Sequence, residues 1–356
     1  MDHTSVEFLK RLLDSPGPSG FEAAPARVWR DEVEKFADDV SADVSGNSIA
    51  VIGKDGAPTV MLAGHIDEIG VMVTHVDEEG YLYFDGIGGW DPQVLVGQRI
   101  RLLGRNGPVL GVVGKKPIHL IKTEEREKAS KIKDLWIDIG ASDRAAAHGH
   151  GIRVGDAGVI DTEVVELGED LIVSRSIDNR IGAFVVAEAL RLLSQDRPAA
   201  RVAAVATAQE EIGYAGGGAR TSAYQLEPQV AIVVDVTFAT DSPGMEKKEL
   251  GEHRIGGGPV LARGSAAHPV VFERLVQAAE REGIAYTITA QPRFTATDAD
   301  AIYLSRAGVA TGIVSVPNRY MHSPNELVSL GDLERAARLI AAFVHDLGPD
   351  ADLVAR

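Results

Sequence analysis

The feature that most constrains this chain is residues 201–213, RVAAVATAQEEIG. The apolar run 202–206 is what a strand buried on both faces requires. It then switches to Gln209-Glu210-Glu211-Ile212-Gly213. Two adjacent carboxylates at the end of a buried strand are costly unless their charge is compensated. Metal ions provide that compensation, and open α/β sheets place their ligands at the carboxyl edge. Neighbouring glutamates can divide two jobs, one binding metal and one moving protons. Taken alone, the stretch also reads as a solvated helix N-terminus, where acids favour the dipole.

Other apolar runs end the same way. His65 and Asp67 follow TVMLAG, Asp235 follows VAIVV, and His322 comes a short loop after VATGIVSV, in YMHSP. Asp178 stands at the start of a helical pattern with Ile181, Phe184, Val185, Leu190 and Leu193 on one face. A lone strand-end histidine is usually a satisfied structural residue. His or acid at four strand ends, with little basic nearby except Arg180 and Arg319, reverses that preference.

There is no cysteine, so thiolate sites and disulfides are excluded and any metal rests on His, Asp and Glu. Imidazole and carboxylate suit Zn²⁺, Co²⁺ or Mn²⁺. Two ions fit the set better than one, since a single zinc would leave acids buried without partners. Asp178, Glu210, Glu211 and Asp235 offset most of the charge of two dications, and a bridging hydroxide brings the site near neutrality. Ions about 3.5–4 Å apart activate that hydroxide and clamp the carbonyl under attack. Asp67 is placed to accept the free ring N–H of His65.

The rest of the chain divides in two. Residues 1–69 and 162–356 alternate helical and strand patterns, which predicts a mostly parallel sheet covered by helices. The first helix carries Val6, Leu9, Leu12 and Leu13 after a Thr4 or Ser5 cap and stops at Ser15-Pro16-Gly17-Pro18-Ser19-Gly20. A later helix is expected over 301–306. Residues 70–161 show short β-like runs between Gly, Asn and Asp turns, an inserted small β-barrel or sandwich. Within it, 122–133 (KTEEREKASKIK) reads as a solvated loop. A net charge of −16 disfavours nucleic acid and anionic membrane as partners. No apolar run is long enough to span a membrane, and the first twenty residues lack the order of a signal peptide, so the expected location is the cytoplasm.

The motifs GHIDEIG (64–70), GGWDPQ (88–93), DLWIDIGA (134–141), SIDNRIGA (176–183), QEEIG (209–213), VDVTFATDSPG (234–244) and PNRYMHSPNE (317–326) run in one order along nearly the whole chain. They resemble the co-catalytic metallo-aminopeptidases that assemble as tetrahedral dodecamers, a family also described as glutamyl aminopeptidases or endoglucanase-like proteins. The resemblance implies a zinc-exopeptidase-like fold and two Zn or Co ions, or Mn, per subunit. Carried over to this sequence, Asp178 bridges the ions, His65 and Asp235 complete one site, and Glu211 and His322 the other. Glu210 is then the general base, Asp67 orients His65, and the β insert mediates self-association into dimers and a dodecamer. The resemblance also implies a cis peptide at Asp178-Asn179.

The function expected is removal of N-terminal residues from peptide substrates. The alternatives are a metal-dependent deacylase or dipeptidase acting on a small amide and a non-enzymatic shell-forming protein. An endoglucanase needs two free carboxylates around a sugar, whereas these acids look committed to metal and aromatic residues are only 5%. Arg254 and Arg263, after the Asp235 strand, are candidate substrate-binding residues. His119, in KKPIHL, reads as structural or interfacial, and His148 and His150, in AHGHG, as an exposed Gly-rich loop. Asp298, in ATDADA, is placed near the site without a ligand role.

Overall fold

The computed structural model describes residues 1–213 and 216–354. Its main element is an eight-stranded sheet. The strand order is Asp39–Ala42, Ser48–Ile52, Arg201–Thr207, Thr59–His65, Val230–Phe238, Ala310–Asn318, Val260–Arg263 and Thr287–Ala290. The four strands from Arg201–Thr207 to Ala310–Asn318 pair in parallel. Their residues are buried almost without exception, as strands covered on both faces must be. Helices pack on both sides, giving two apolar cores separated by the sheet. The architecture is the expected α/β sheet, mostly parallel, with antiparallel pairing where Val260–Arg263 joins and at the Asp39–Ala42 edge.

The helix Ile177–Gln195 lies against the parallel strands and is buried on nearly every side, so it is apolar all round rather than amphipathic. Its close packing depends on glycine. A Cβ on Gly64 would sit 2.3 Å from the Gly182 carbonyl carbon, and one on Gly182 would sit 2.6 Å from Val234 O. Backbone cannot yield there as a flexible side chain would. The peptide Asp178-Asn179 is cis.

Residues Gly70–Val76, Leu82–Ile87, Leu135–Asp138, Gly107–Lys115, Arg99–Gly104 and Ala157–Ile160 close into a six-stranded barrel with its own apolar core. Closure leaves no unpaired edge. A small antiparallel sheet, Val165–Leu167, Leu171–Ser174 and Glu326–Ser329, lies beside the start of the Ile177–Gln195 helix. Among the described residues no helix is long and apolar enough to cross a membrane.

Three local expectations are corrected. The first helix is His3–Asp14, capped by Asp2, whose side chain accepts from Ser5 N at 2.8 Å. Ser5 itself is buried and donates to Glu188. The helix expected over 301–306 is a single turn, Ala299–Ile302, followed by turns that include a left-handed Arg306. His148 lies in a short helix, Arg144–Gly149, with His150 as its C-cap, rather than in a loop.

Because the Gly64–Gly182 contact is backbone against backbone, Gly64→Ala should cost about 1–3 kcal/mol of stability. The urea midpoint measures it, and an unchanged midpoint would contradict the close approach.

Candidate metal centre and active site

Parallel pairing brings the chemistry to one edge. Thr207 and His65 end neighbouring strands in register, and Asp235 lies opposite Ser315 on the next pair. His322 follows the strand Ala310–Asn318, and Asp178 lies in the first turn of the central helix. Among the described residues, four of the eight non-glycine residues with positive φ flank this edge: Ser176, Gln209, Tyr320 and His322. Such conformations cost about 1–3 kcal/mol each and tend to concentrate at functional sites.

Asp178 is the centre of the cluster. Its Oδ1 lies 3.3 Å from His65 Nε2 and its Oδ2 3.3 Å from His322 Nε2. His322 Nε2 is also 3.3 Å from Glu211 Oε1. His65 Nε2 lies 3.6 Å from Glu210 Oε2 and 4.0 Å from Asp235 Oδ1. Two groups of three donors, His65-Asp178-Glu211 and His65-Glu210-Asp235, have ligand atoms within 4.8 Å of one another. All five residues read from the sequence as metal ligands, together with Glu210, are therefore brought together. Proximity alone does not separate Glu210 from the ligands.

The outer groups set this geometry. Asp67 accepts from Ser19 Oγ at 2.5 Å, Glu210 N at 3.2 Å and Glu211 N at 3.1 Å. Its Oδ1 is 3.3 Å from His65 Nδ1, an ion-pair contact whose alignment falls short of a hydrogen bond. Glu326 accepts from Asp178 N at 2.9 Å and His322 N at 2.8 Å. His322 Nδ1 lies 2.7 Å from Gly89 O, so its ring is held from the barrel side. Glycine at 89 permits that approach, since a Cβ there would lie 3.3 Å from His322 Nδ1.

Beneath the site, Glu68 is bridged between Arg175, at 2.5 Å, and Arg180, at 2.8 Å. Arg180 is fully buried and donates to the carbonyls of Leu12, Leu13, Ser15, Gly17 and Ile66. It thereby fastens the Pro/Gly segment carrying Ser19 to the strand end carrying His65. Arg319 is engaged with Asp241 at 2.7 Å. Ser19, Glu68, Arg175 and Glu326 were missed from the sequence. The nearest signal was the Pro/Gly cluster between helix and strand, which marks a turn but not its partner.

Burial pushes Glu210 up to about 10, against the pull of His65 and with the charges of Asp235, Asp298 and Glu211 adding. Burial likewise raises Asp235, Glu211 and Glu326. Burial also opposes ionisation of Asp178, but hydrogen bonds from His322 and His65 win and hold it below its ordinary value. Burial opposes charge on His322, yet its bonds to Asp178 and Glu211 push it up to about 11. Donor type, spacing and surplus negative charge all fit divalent cations.

A cavity of about 1370 Å³ opens from Glu210 and Glu211. Its walls include Ile212, Tyr224, Phe294 and Leu304 together with Arg220, Asp298, Asp300 and Arg306. The two arginines read as substrate contacts do not join the cluster. Arg263 ends a strand antiparallel to Ala310–Asn318, which carries it away from the Asp235 edge, and it lies over Phe272 and 3.7 Å from Glu273. Arg254 is exposed, in a loop whose Ile255 N bonds to Asp241. His119 is exposed on a barrel turn, Ile118–Leu120, and His148 Nδ1 is 2.9 Å from Ile152 O.

This fold and cluster define a peptidase-type hydrolase with a buried His–carboxylate centre. A model of the M42 glutamyl aminopeptidase family matches residues 46–339. A lysyl aminopeptidase of Pyrococcus furiosus is 37% identical over 346 residues, covering 96% of this chain and 97% of that protein. The crystal structure of a TET aminopeptidase from a marine-sediment Thaumarchaeota archaeon matches with a TM-score of 0.92 at 34% identity, covering 97% and 96% of the two chains. The TET1 peptidase of Pyrococcus horikoshii, which can assemble into a tetrahedron or a large octahedral shell, matches with a TM-score of 0.83 at 30% identity, over 96% and 100%. The chain belongs to the M42 glutamyl aminopeptidase family of metal-dependent peptidases and is a hydrolase acting on peptide bonds.

Because Glu68 is the shared counter-charge of two buried guanidinium groups, Glu68→Gln should cost about 3–5 kcal/mol. Urea denaturation checks this, and no measurable loss would show that carbonyl groups alone satisfy Arg175 and Arg180.

Proposed function

We propose that this protein is a dinuclear aminopeptidase that releases neutral, apolar N-terminal residues from peptides. The observation that carries the reading is Asp178, with one oxygen turned to His65 and the other to His322. In this reading Asp178 is shared by two ion positions, one with His65 and Asp235 and one with Glu211 and His322. Zn²⁺ or Co²⁺ bound there would supply Lewis acidity toward the scissile carbonyl and an acidified water. Glu210 faces the cavity, and its carboxylate takes a proton from the attacking water and passes it to the departing amine nitrogen as the C–N bond breaks. Asp67 fixes His65 and the Glu210-Glu211 backbone, so it positions the ligands. The apolar side chains Ile212, Phe294 and Leu304 of the cavity wall favour an aliphatic residue; Arg220 and Arg306 also line it, Arg306 being paired with Glu227, while Arg254 and Arg263 stand apart.

Residues 1–69 and 162–356 form the catalytic body in this reading, and the barrel within 70–161 is the assembly module. Support comes from the barrel's outer face, where Leu110, Val112, Tyr81 and Tyr83 are exposed, and from the shell-forming relative. The expected assembly is built from dimers into a dodecamer.

Exhaustive chelation should abolish hydrolysis of aminoacyl-p-nitroanilides, and Co²⁺ or Zn²⁺ should restore it; activity surviving with no metal by elemental analysis would remove the centre. Glu210→Gln should lower the turnover rate by about 10²- to 10⁴-fold with metal content unchanged. Loss of metal in that variant would make Glu210 a ligand instead. Light scattering should show the intact chain as a large oligomer and a chain lacking 70–161 as a smaller species. A large oligomer without the barrel would place assembly elsewhere.

A further inference from the structure

The carboxylates at the site edge can be sorted by what already holds them. Asp178, Glu210, Glu211 and Asp235 each face an imidazole. Asp67 and Glu326 are filled by hydroxyl and backbone donors. Asp300, on the cavity wall, accepts from Thr295 N and Ala296 N. Asp298 is different. It is 4% exposed, lines the cavity with Glu210, and belongs to neither ligand group. Its Oδ2 accepts from Thr207 Oγ1 at 2.5 Å, and among the described residues no donor reaches its Oδ1.

An ionisable group is expensive to keep in such a place when a neutral amide would accept the same hydroxyl bond. The carboxylate is therefore retained for its charge. An aminopeptidase must recognise a substrate α-ammonium, and a buried anion that neither ligates metal nor carries the catalytic proton is free to do so. We infer that Asp298 is the residue that binds the α-ammonium of the substrate, and so restricts the enzyme to free N-termini. This rests on the aminopeptidase reading above. Thr207 positions the carboxylate: it ends the strand beside His65, three residues before Glu210, so the ammonium is registered against the catalytic edge. The short turn Ala299–Ile302 fixes the backbone, with Ala301 N and Ile302 N both donating to Asp298 O at 3.1 Å. The cation meets Asp298 on the cavity side, and the peptide carbonyl then lies toward Glu210.

The test is a pair of inhibitors that differ only in the amine, leucine hydroxamate and 4-methylpentanohydroxamate, with affinities measured by calorimetry on the metal-loaded protein. The unmodified enzyme should prefer the amine-bearing compound. Asp298→Asn keeps an acceptor for Thr207 and should reduce that preference by about 10- to 100-fold, with metal content and affinity for the des-amino compound unchanged. Thr207→Val, which leaves the charge in place but removes the hydroxyl that positions it, should reduce the preference by less than Asp298→Asn does. Equal weakening of both compounds in Asp298→Asn, or an unchanged preference, would overturn the inference. If Asp298→Asn does not fold, Asp298→Ser carries the test: lost preference with unchanged affinity for the des-amino compound supports the assignment, and retained preference overturns it. No preference in the unmodified enzyme would instead bring down the aminopeptidase reading itself.

Discussion

The structure depends on the electrostatic cost of collecting carboxylates at the buried end of one sheet. Two outer carboxylates reduce that cost by gripping backbone. Asp67 accepts from the amides of Glu210 and Glu211, and Glu326 from the amides of Asp178 and His322. Each clamp fixes two residues of the cluster at once, so the spacing of the inner groups follows from their own main chain. A third carboxylate, Glu68, does the same work for two arginines, and Arg180 ties the N-terminal Pro/Gly segment beneath His65. Barrel and sheet meet at the same centre through His322 and Gly89.

Much of this was legible in the sequence, for a physical reason. Strands buried on both faces leave continuous apolar runs, and a polar residue ending such a run stands out. His65, Asp235 and the Glu210-Glu211 pair were found that way, and the turn-rich texture of 70–161 marked the β insert. What could not be read depends on contacts distant in the chain. Nothing local to Ser19 or Glu326 shows which amides and carboxylates will come within reach. Arg263 looked close to Asp235 because it follows in sequence, but strand direction decides the edge, and its strand runs antiparallel. The Thr4 or Ser5 cap failed because Asp2 satisfies the Ser5 amide and leaves Ser5 free to be buried.

The ligand set does not choose the residue to be released. The family model is described as glutamyl aminopeptidase, and a relative 37% identical over nearly the full chain is named for lysine. Opposite side-chain charges have thus been associated with one framework. In the proposed reading selectivity falls to the cavity walls, where Ile212, Tyr224, Phe294 and Leu304 stand beside Arg220 and Arg306. Recognition of the amine is a separate problem, set beside the catalytic edge.

The two-ion reading of Asp178 is tested most directly by anomalous diffraction from crystals grown with Co²⁺ or Zn²⁺. Two peaks about 3.5–4 Å apart, one on each side of Asp178 and neither coordinated by Glu210, are the predicted result. A single peak, or an ion bound by Glu210 in place of Asp178, would contradict it.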